Sequence, residues 1–265
     1  MKRVGFTFIE LVVVIAMVTL LIALSLPSLQ SSRCRAQAVL CGSNIRQLTL
    51  GLFLYEAENG TLPYAFNDNP MVRPPGGHLR FVEYNRVGWW WFNYVVDYSE
   101  MGPEESSVVW CPSTKIKNGR LKNNVLCGNY GVNRSICRSS DDIRSYRQEF
   151  VGTPLSTGDI RHPGQTLLIV DSGYSLISWW HATDYSPVSL VSGIEDTAYI
   201  PGLWINKERN FWPGQEQDAI NGRHPNKTVN VGFADGHTSR KRADDLFVEK
   251  ANDGYKNLHP LWVPK

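Results

Sequence analysis

The chain has 265 residues, of which 42% are hydrophobic and 20% charged; this is an ordinary globular composition, too apolar for a disordered stalk. Its formal charge of +2 equals the contribution of Lys2 and Arg3 alone, because without them 25 basic residues face 25 acidic ones. Such a balance gives no electrostatic case for nucleic-acid binding, and the length allows one sizeable domain, or two small ones, beyond any membrane segment.

Lys2 and Arg3 lead into GFTFIELVVVIAMVTLLIALSLPSL, Gly5 to Leu29. No residue from Leu11 to Leu29 is charged. At about 1.5 Å of helical rise per residue this run nearly matches a hydrocarbon core of roughly 30 Å, so a transmembrane helix is predicted. The basic residues before it put the N-terminus in the cytoplasm and everything after Leu29 outside. Two residues do not suit a simple anchor. Glu10 opens the apolar run, and a lone carboxylate in lipid costs about 2.5–3.5 kcal/mol unless it is paired. Pro27 lies near the far end, where it removes a helical hydrogen bond and predicts a kink or local melting. A secretory signal would be cut after the apolar run. A cut before it, between Gly5 and Phe6, would discard MKRVG and supply Glu10 with a cationic partner, the new amine.

The segment G-F-T-F-I-E-L followed by a hydrophobic helix resembles the class III signal of type IV prepilins and type II secretion pseudopilins. The resemblance implies cleavage after Gly5 and methylation of Phe6 by a prepilin peptidase. It also implies a role for Glu10 in neutralising the N-terminal amine during assembly with other pilin or pseudopilin subunits, and identifies Pro27 with the family's helix-breaking proline. The expected organisation is a leader (1–5), a transmembrane helix (6–29), its amphipathic continuation (30–58) and an extracytoplasmic domain (59–265).

Beyond Pro27, Cys34, Ala38, Cys41, Ile45, Leu48, Leu52 and Tyr55 fall on one helix face, with Arg33, Arg35, Gln37, Asn44, Arg46 and Gln47 elsewhere. Asn59-Gly60 stops the pattern, predicting a helix over residues 6 to 58, about 80 Å long. CGSNIRQLTLGLFLYEAENGTLP resembles the C-x-x-N-x-R-Q segment of large pseudopilin-like proteins of planctomycete and related bacteria. Outside the cytoplasm disulfides persist, and five cysteines leave one without a partner in the chain. Cys34 and Cys41 are about 10.5 Å apart along a helix and cannot bridge. Cys41 with Cys111 and Cys127 with Cys137 are the expected pairs, Cys34 being the odd thiol; the alternative is that several are buried free thiols.

From Leu62 the chain turns to Gly, Pro, Asn and aromatics in short runs, as expected of brief strands and long loops. NDNPMVRPPGGHLRFVEYNRVG reads as an exposed loop. GWWWFNYVVDY reads as a buried strand or short helix against the long one. VVWCPSTK and NVLCGNYGVN resemble the C-P-S and Y-x-x-N elements of the same proteins. RHPGQTLLIVDSG predicts a buried strand from Thr166 to Val170 ending at Asp171. The stretch from Ser178 to Gln217 has little periodicity and is where partner contacts are expected. Near the C-terminus, apolar and polar residues alternate from Val229 to Ala234 and return through His237 to Arg240, with Asp235-Gly236 as a hairpin turn. This resembles a processing-associated element in which a histidine precedes Asp-Gly by nine residues; here ten residues separate His224 from Asp235.

C-x-x-C, H-E-x-x-H, G-x-S-x-G and the phosphate-binding loop motif are all absent from the sequence. No enzyme is therefore expected, and scattered Asp, His and Ser make an anchored hydrolase the weakest reading. Asp171, His224 and Asp235 could converge on a metal, and the resemblance brings a structural calcium into view. Calcium wants six to eight oxygens, however, and the chain lacks a compact run of acidic ligands; turn-forming aspartates and a surface histidine are the simpler reading. The expected fold is α+β, with a long transmembrane helix continuing as an amphipathic spine packed on an antiparallel β-sheet with long loops. The expected role is that of a structural subunit of a type II secretion pseudopilus or type IV pilus-like filament at the bacterial inner membrane. The alternative is a membrane-tethered module that does not polymerise and binds polysaccharide or an exoprotein through Trp179 and Trp180.

Overall fold

The computed structural model describes residues 7–68, 81–83, 86–95, 107–140, 148–184 and 198–264; Gly5, Phe6 and the expected cleavage point between them lie outside these. Helix α1 runs unbroken over Phe8–Asn59. Thr7 caps its start, and Gly60 ends it at φ 79°, its N–H closing on the Glu56 carbonyl at 2.7 Å. The left-handed conformation there suits a residue without Cβ. Pro27 sits inside the helix without interrupting it. Of the expected kink or local melting, melting does not occur: proline removes one N–H, and the helical turns on either side remain intact.

The two halves of α1 differ. The side chains of residues 8–29 are exposed on every face, Leu20, Leu24 and Leu29 by more than 60%. From Ala38 onward a stripe of Ala38, Cys41, Ile45, Leu48, Thr49 and Leu52 is buried, which adds Thr49 to the expected face and leaves Cys34 exposed. The Thr49 hydroxyl turns inward to donate to the Ile45 carbonyl at 2.7 Å, so the helix itself satisfies this buried polar group.

A first small sheet follows. β1 (Phe66–Asn67) and β2 (Phe81–Glu83) both pair antiparallel with β3 (Arg86–Trp90). Residues 81–83 and 86–88, expected in an exposed loop, are therefore paired strand: Phe81 opposes Gly88 and Val82 opposes Val87. The aromatic run divides between β3 and the short helix α2 (Trp91–Val95). Trp89, Trp90, Trp91 and Phe92 are all buried. Tyr94 meets Tyr55 of α1 edge-on at 5.4 Å.

After α3 (Gly119–Lys122), the main sheet is built from β4 (Tyr130–Asn133), β5 (Leu167–Asp171), β6 (Leu176–Ile177), β7 (Thr228–Phe233) and β8 (Thr238–Arg242), in spatial order β6-β4-β5-β7-β8. The pairings are antiparallel except that β6 runs parallel to β4, so the sheet is mixed rather than purely antiparallel. Central β5 is buried at every position, as its unbroken Leu-Leu-Ile-Val run requires. A short helix α4 (Glu216–Asn221) precedes β7, and the ribbon of β9 (Glu249–Ala251) and β10 (Gly254–Lys256) follows β8. The spine crosses β7 at Gly232, where any Cβ would collide with Thr49 and Ile169; a larger residue would separate helix from sheet.

Candidate functional site beneath the spine helix

At the N-terminal end of α1, the Thr7 N–H and hydroxyl both donate to Glu10 Oε2 at 2.8 Å, and the Glu10 N–H returns to Thr7 Oγ1 at 3.3 Å. This reciprocal cap places the Glu10 carboxylate beside the backbone that follows the Gly5–Phe6 bond. Helix α1 is long and apolar enough to cross a membrane.

At the domain end, polar side chains gather beneath α1. Cys41 comes from its buried stripe, Cys111 from the Cys-Pro turn, Asp171 from the end of β5 and His224 from the approach to β7. Their sequence separations, from 41 to 224, hide this grouping from any local motif. The Cys41 and Cys111 sulfurs lie 2.7 Å apart as unbonded thiols. One ligand atom of each of Cys41, Cys111 and His224 lies within 4.8 Å of the others, all three residues being buried. His224 Nε2 is 3.0 Å from Asp171 Oδ2, which also accepts from the Asn230 N–H at 2.6 Å and from Asn230 Nδ2 at 3.1 Å. His224 Nδ1 and Asp171 Oδ1 are buried without a hydrogen-bond partner.

Alongside runs a second buried chain of contacts. Arg223 donates to the Asn129 carbonyl at 2.8 Å, the Ser172 carbonyl at 3.0 Å and Asp218 Oδ2 at 2.7 Å. Asp218 also accepts from the Tyr199 hydroxyl at 2.9 Å and from the Lys115 N–H at 3.0 Å. Asn129 Oδ1 in turn accepts the Cys111 N–H at 2.9 Å, so the two networks meet at Cys111. Asn44 of α1 reaches in to donate to the Tyr130 hydroxyl at 3.2 Å.

The charges follow from these contacts. Burial opposes ionisation of Asp171, but His224 and the hydrogen bonds it accepts hold its carboxyl below the usual value. Burial would lower His224; the Asp171 carboxylate overrides it and raises the imidazole to about 9. The hydrogen bond with Cys111 draws Cys41 down to about 5 against its burial, while burial and the neighbouring Cys41 push Cys111 well up. In the reduced cluster these shifts favour a thiolate on Cys41 over one on Cys111, beside a His224 imidazolium that Asp171 orients.

Several expectations need comment. No bond joins any of the five cysteines in the structure, but the expected partners Cys41 and Cys111 are brought side by side, their sulfurs 2.7 Å apart. His224 is not a surface residue, its side chain being fully enclosed. Asp235 does not join Asp171 and His224: it accepts from the His237 N–H at 3.0 Å and pairs with that ring at 2.6 Å in the exposed β7–β8 turn. One carboxylate, one imidazole and two sulfurs do not fit a calcium site. Trp179 is buried, 4.7 Å from the Trp180 ring and 4.8 Å from Tyr255, so it packs the interior rather than forming an open platform. Part of the expected partner-contact region, residues 185–197, lies outside the described residues.

Sequence reasoning passed over Asp218, Arg223 and Asn230. A buried arginine beside a histidine has no periodic signature, and only the tertiary fold shows which acid it meets. No protein-family model, curated protein or solved structure matches this chain.

Proposed function

We propose that this chain is a structural pseudopilin-like subunit, cleaved between Gly5 and Phe6 and N-methylated by a prepilin peptidase. It is held in the bacterial inner membrane with its domain outside the cytoplasm, and it assembles into a type II secretion pseudopilus or a type IV pilus-like filament. The observation that carries this reading is the division of α1: residues 8–29 are apolar and uncovered on every face, while the same unbroken helix is built into the domain from Ala38 onward. Lipid covers such a surface in the monomer, and the equivalent helices of neighbouring subunits cover it in a bundle. Glu10 turns an anchor into an assembly element, because a carboxylate at that depth is stabilised by a cation and the Phe6 amine of a neighbour provides one.

The test has two parts. Mass spectrometry of the mature chain should find N-methylated Phe6 at the N-terminus; an intact Met1 refutes the processing route. Glu10→Ala should insert and be cleaved but fail to cross-link into multimers, and wild-type multimer levels would remove its assembly role. A processed wild-type chain that never cross-links would instead be a tethered, non-polymerising module.

A further inference from the structure

Beyond the filament reading, and independent of it, we propose that Cys41, Cys111 and His224 form a binding site for a zinc-class divalent cation that fastens the spine helix to the domain. The ligands come from three parts of the fold: α1, the Cys-Pro turn and the segment entering β7. A cation held by all three ties the helix to the sheet it crosses.

The donor set is that of zinc: two sulfurs and an imidazole, with ligand atoms within 4.8 Å of one another and fully enclosed. The histidine is prepared for the task. Asp171 and Asn230 occupy the Nε2 side, leaving Nδ1 buried with no hydrogen bond. When Nε2–H donates to Asp171, the neutral ring presents the Nδ1 lone pair, the arrangement in which a carboxylate orients a metal-bound histidine. An interior ring nitrogen without a partner is otherwise a net penalty. Two thiolates neutralise the divalent charge, so the loaded site adds no net charge to the interior, and binding releases the thiol and imidazolium protons. Zinc–sulfur bonds of about 2.3 Å in a tetrahedron set the sulfurs roughly 3.8 Å apart. They therefore separate by about 1 Å from their present positions, within reach of small cysteine rotamer adjustments. The fourth position falls to a small ligand such as water, near the Ser113 hydroxyl, 3.6 Å from the Cys41 sulfur.

The test uses the full chain in detergent, reduced and stripped of metal, titrated with cobalt(II) and then zinc(II). One cobalt per chain should bind, with thiolate-to-cobalt charge-transfer absorption and the intense visible bands of a tetrahedral ion, and one equivalent of zinc should abolish both. Zinc should protect Cys41 and Cys111, and no other cysteine, from alkylation mapped by mass spectrometry. Cys111→Ser and His224→Gln should lose the charge-transfer band or its tetrahedral pattern, whereas Cys34→Ser should keep both. Asp171→Asn should keep them with affinity lowered about 10–100-fold. If a ligand variant fails to fold, the protection pattern of the unaltered chain decides. Absence of sulfur-to-cobalt absorption from the reduced chain, or protection of other cysteines, overturns the site. So does isolation from membranes, without reductant, of a chain that carries a Cys41–Cys111 disulfide and no zinc.

Discussion

Removing the acid from the Arg223–Asp218 pair tests whether the network under α1 holds the domain together. The contact is 2.7 Å long, and both side chains are fully enclosed. Burial alone would lower the Arg223 pKa, but Asp218 raises it well above the usual value, so Asp218 is the counter-ion that offsets the burial of this permanent charge. Asp218→Asn leaves that charge with two carbonyl acceptors and no counter-ion, and also weakens the acceptor for Tyr199 and the Lys115 N–H. Breaking one side of a buried pair costs about 3–5 kcal/mol. For a domain of this size each kcal/mol corresponds to about 2–4 °C, so the expected fall in Tm is on the order of 10 °C. Thermal unfolding of the full chain in detergent measures it. Because much of the loss is the penalty of a stranded charge, Asp218→Leu combined with Arg223→Met should be far less destabilised than the two single changes added together. A single variant within about 1 kcal/mol of the parent, or strict additivity in the cycle, would refute the reasoning.

Gly232→Ala should destabilise by about 1–3 kcal/mol, since its Cβ is driven into Thr49 and Ile169 at the crossing of α1 and β7; an unchanged unfolding temperature would mean the helix moves aside freely. Ile45→Ala, in the wholly buried stripe of α1, should cost about 2–5 kcal/mol, while Leu54→Ala on the exposed face should stay within about 0.5 kcal/mol; equal losses would contradict the assigned face. Trp179→Ala should lower stability by about 3–5 kcal/mol, and a fully stable variant that had merely lost glycan binding would restore the platform reading.

Local signals carried most of what could be read without a structure. The uncharged run after Glu10, the four-and-three spacing from Ala38 to Leu52, the Asn59-Gly60 stop and the Asp235-Gly236 turn each reflect interactions between residues close in the chain, and helix and hairpin geometry translate those spacings directly into elements. The strands at residues 81–83 and 86–88 went unread because their pairing, not their composition, makes them strands.

The sequence by itself determined the long apolar helix, the acid at its head, the spine that follows and the alternation of the C-terminal hairpin, because periodicity and solvation act residue by residue. Only the tertiary structure decided that Cys41, Cys111, Asp171 and His224 meet beneath the spine, that Asp235 stands apart from them, and that Arg223 finds Asp218. Those meetings depend on how β5 and β7 lie side by side under α1, and long-range sheet order leaves no mark in the spacing of the residues it joins.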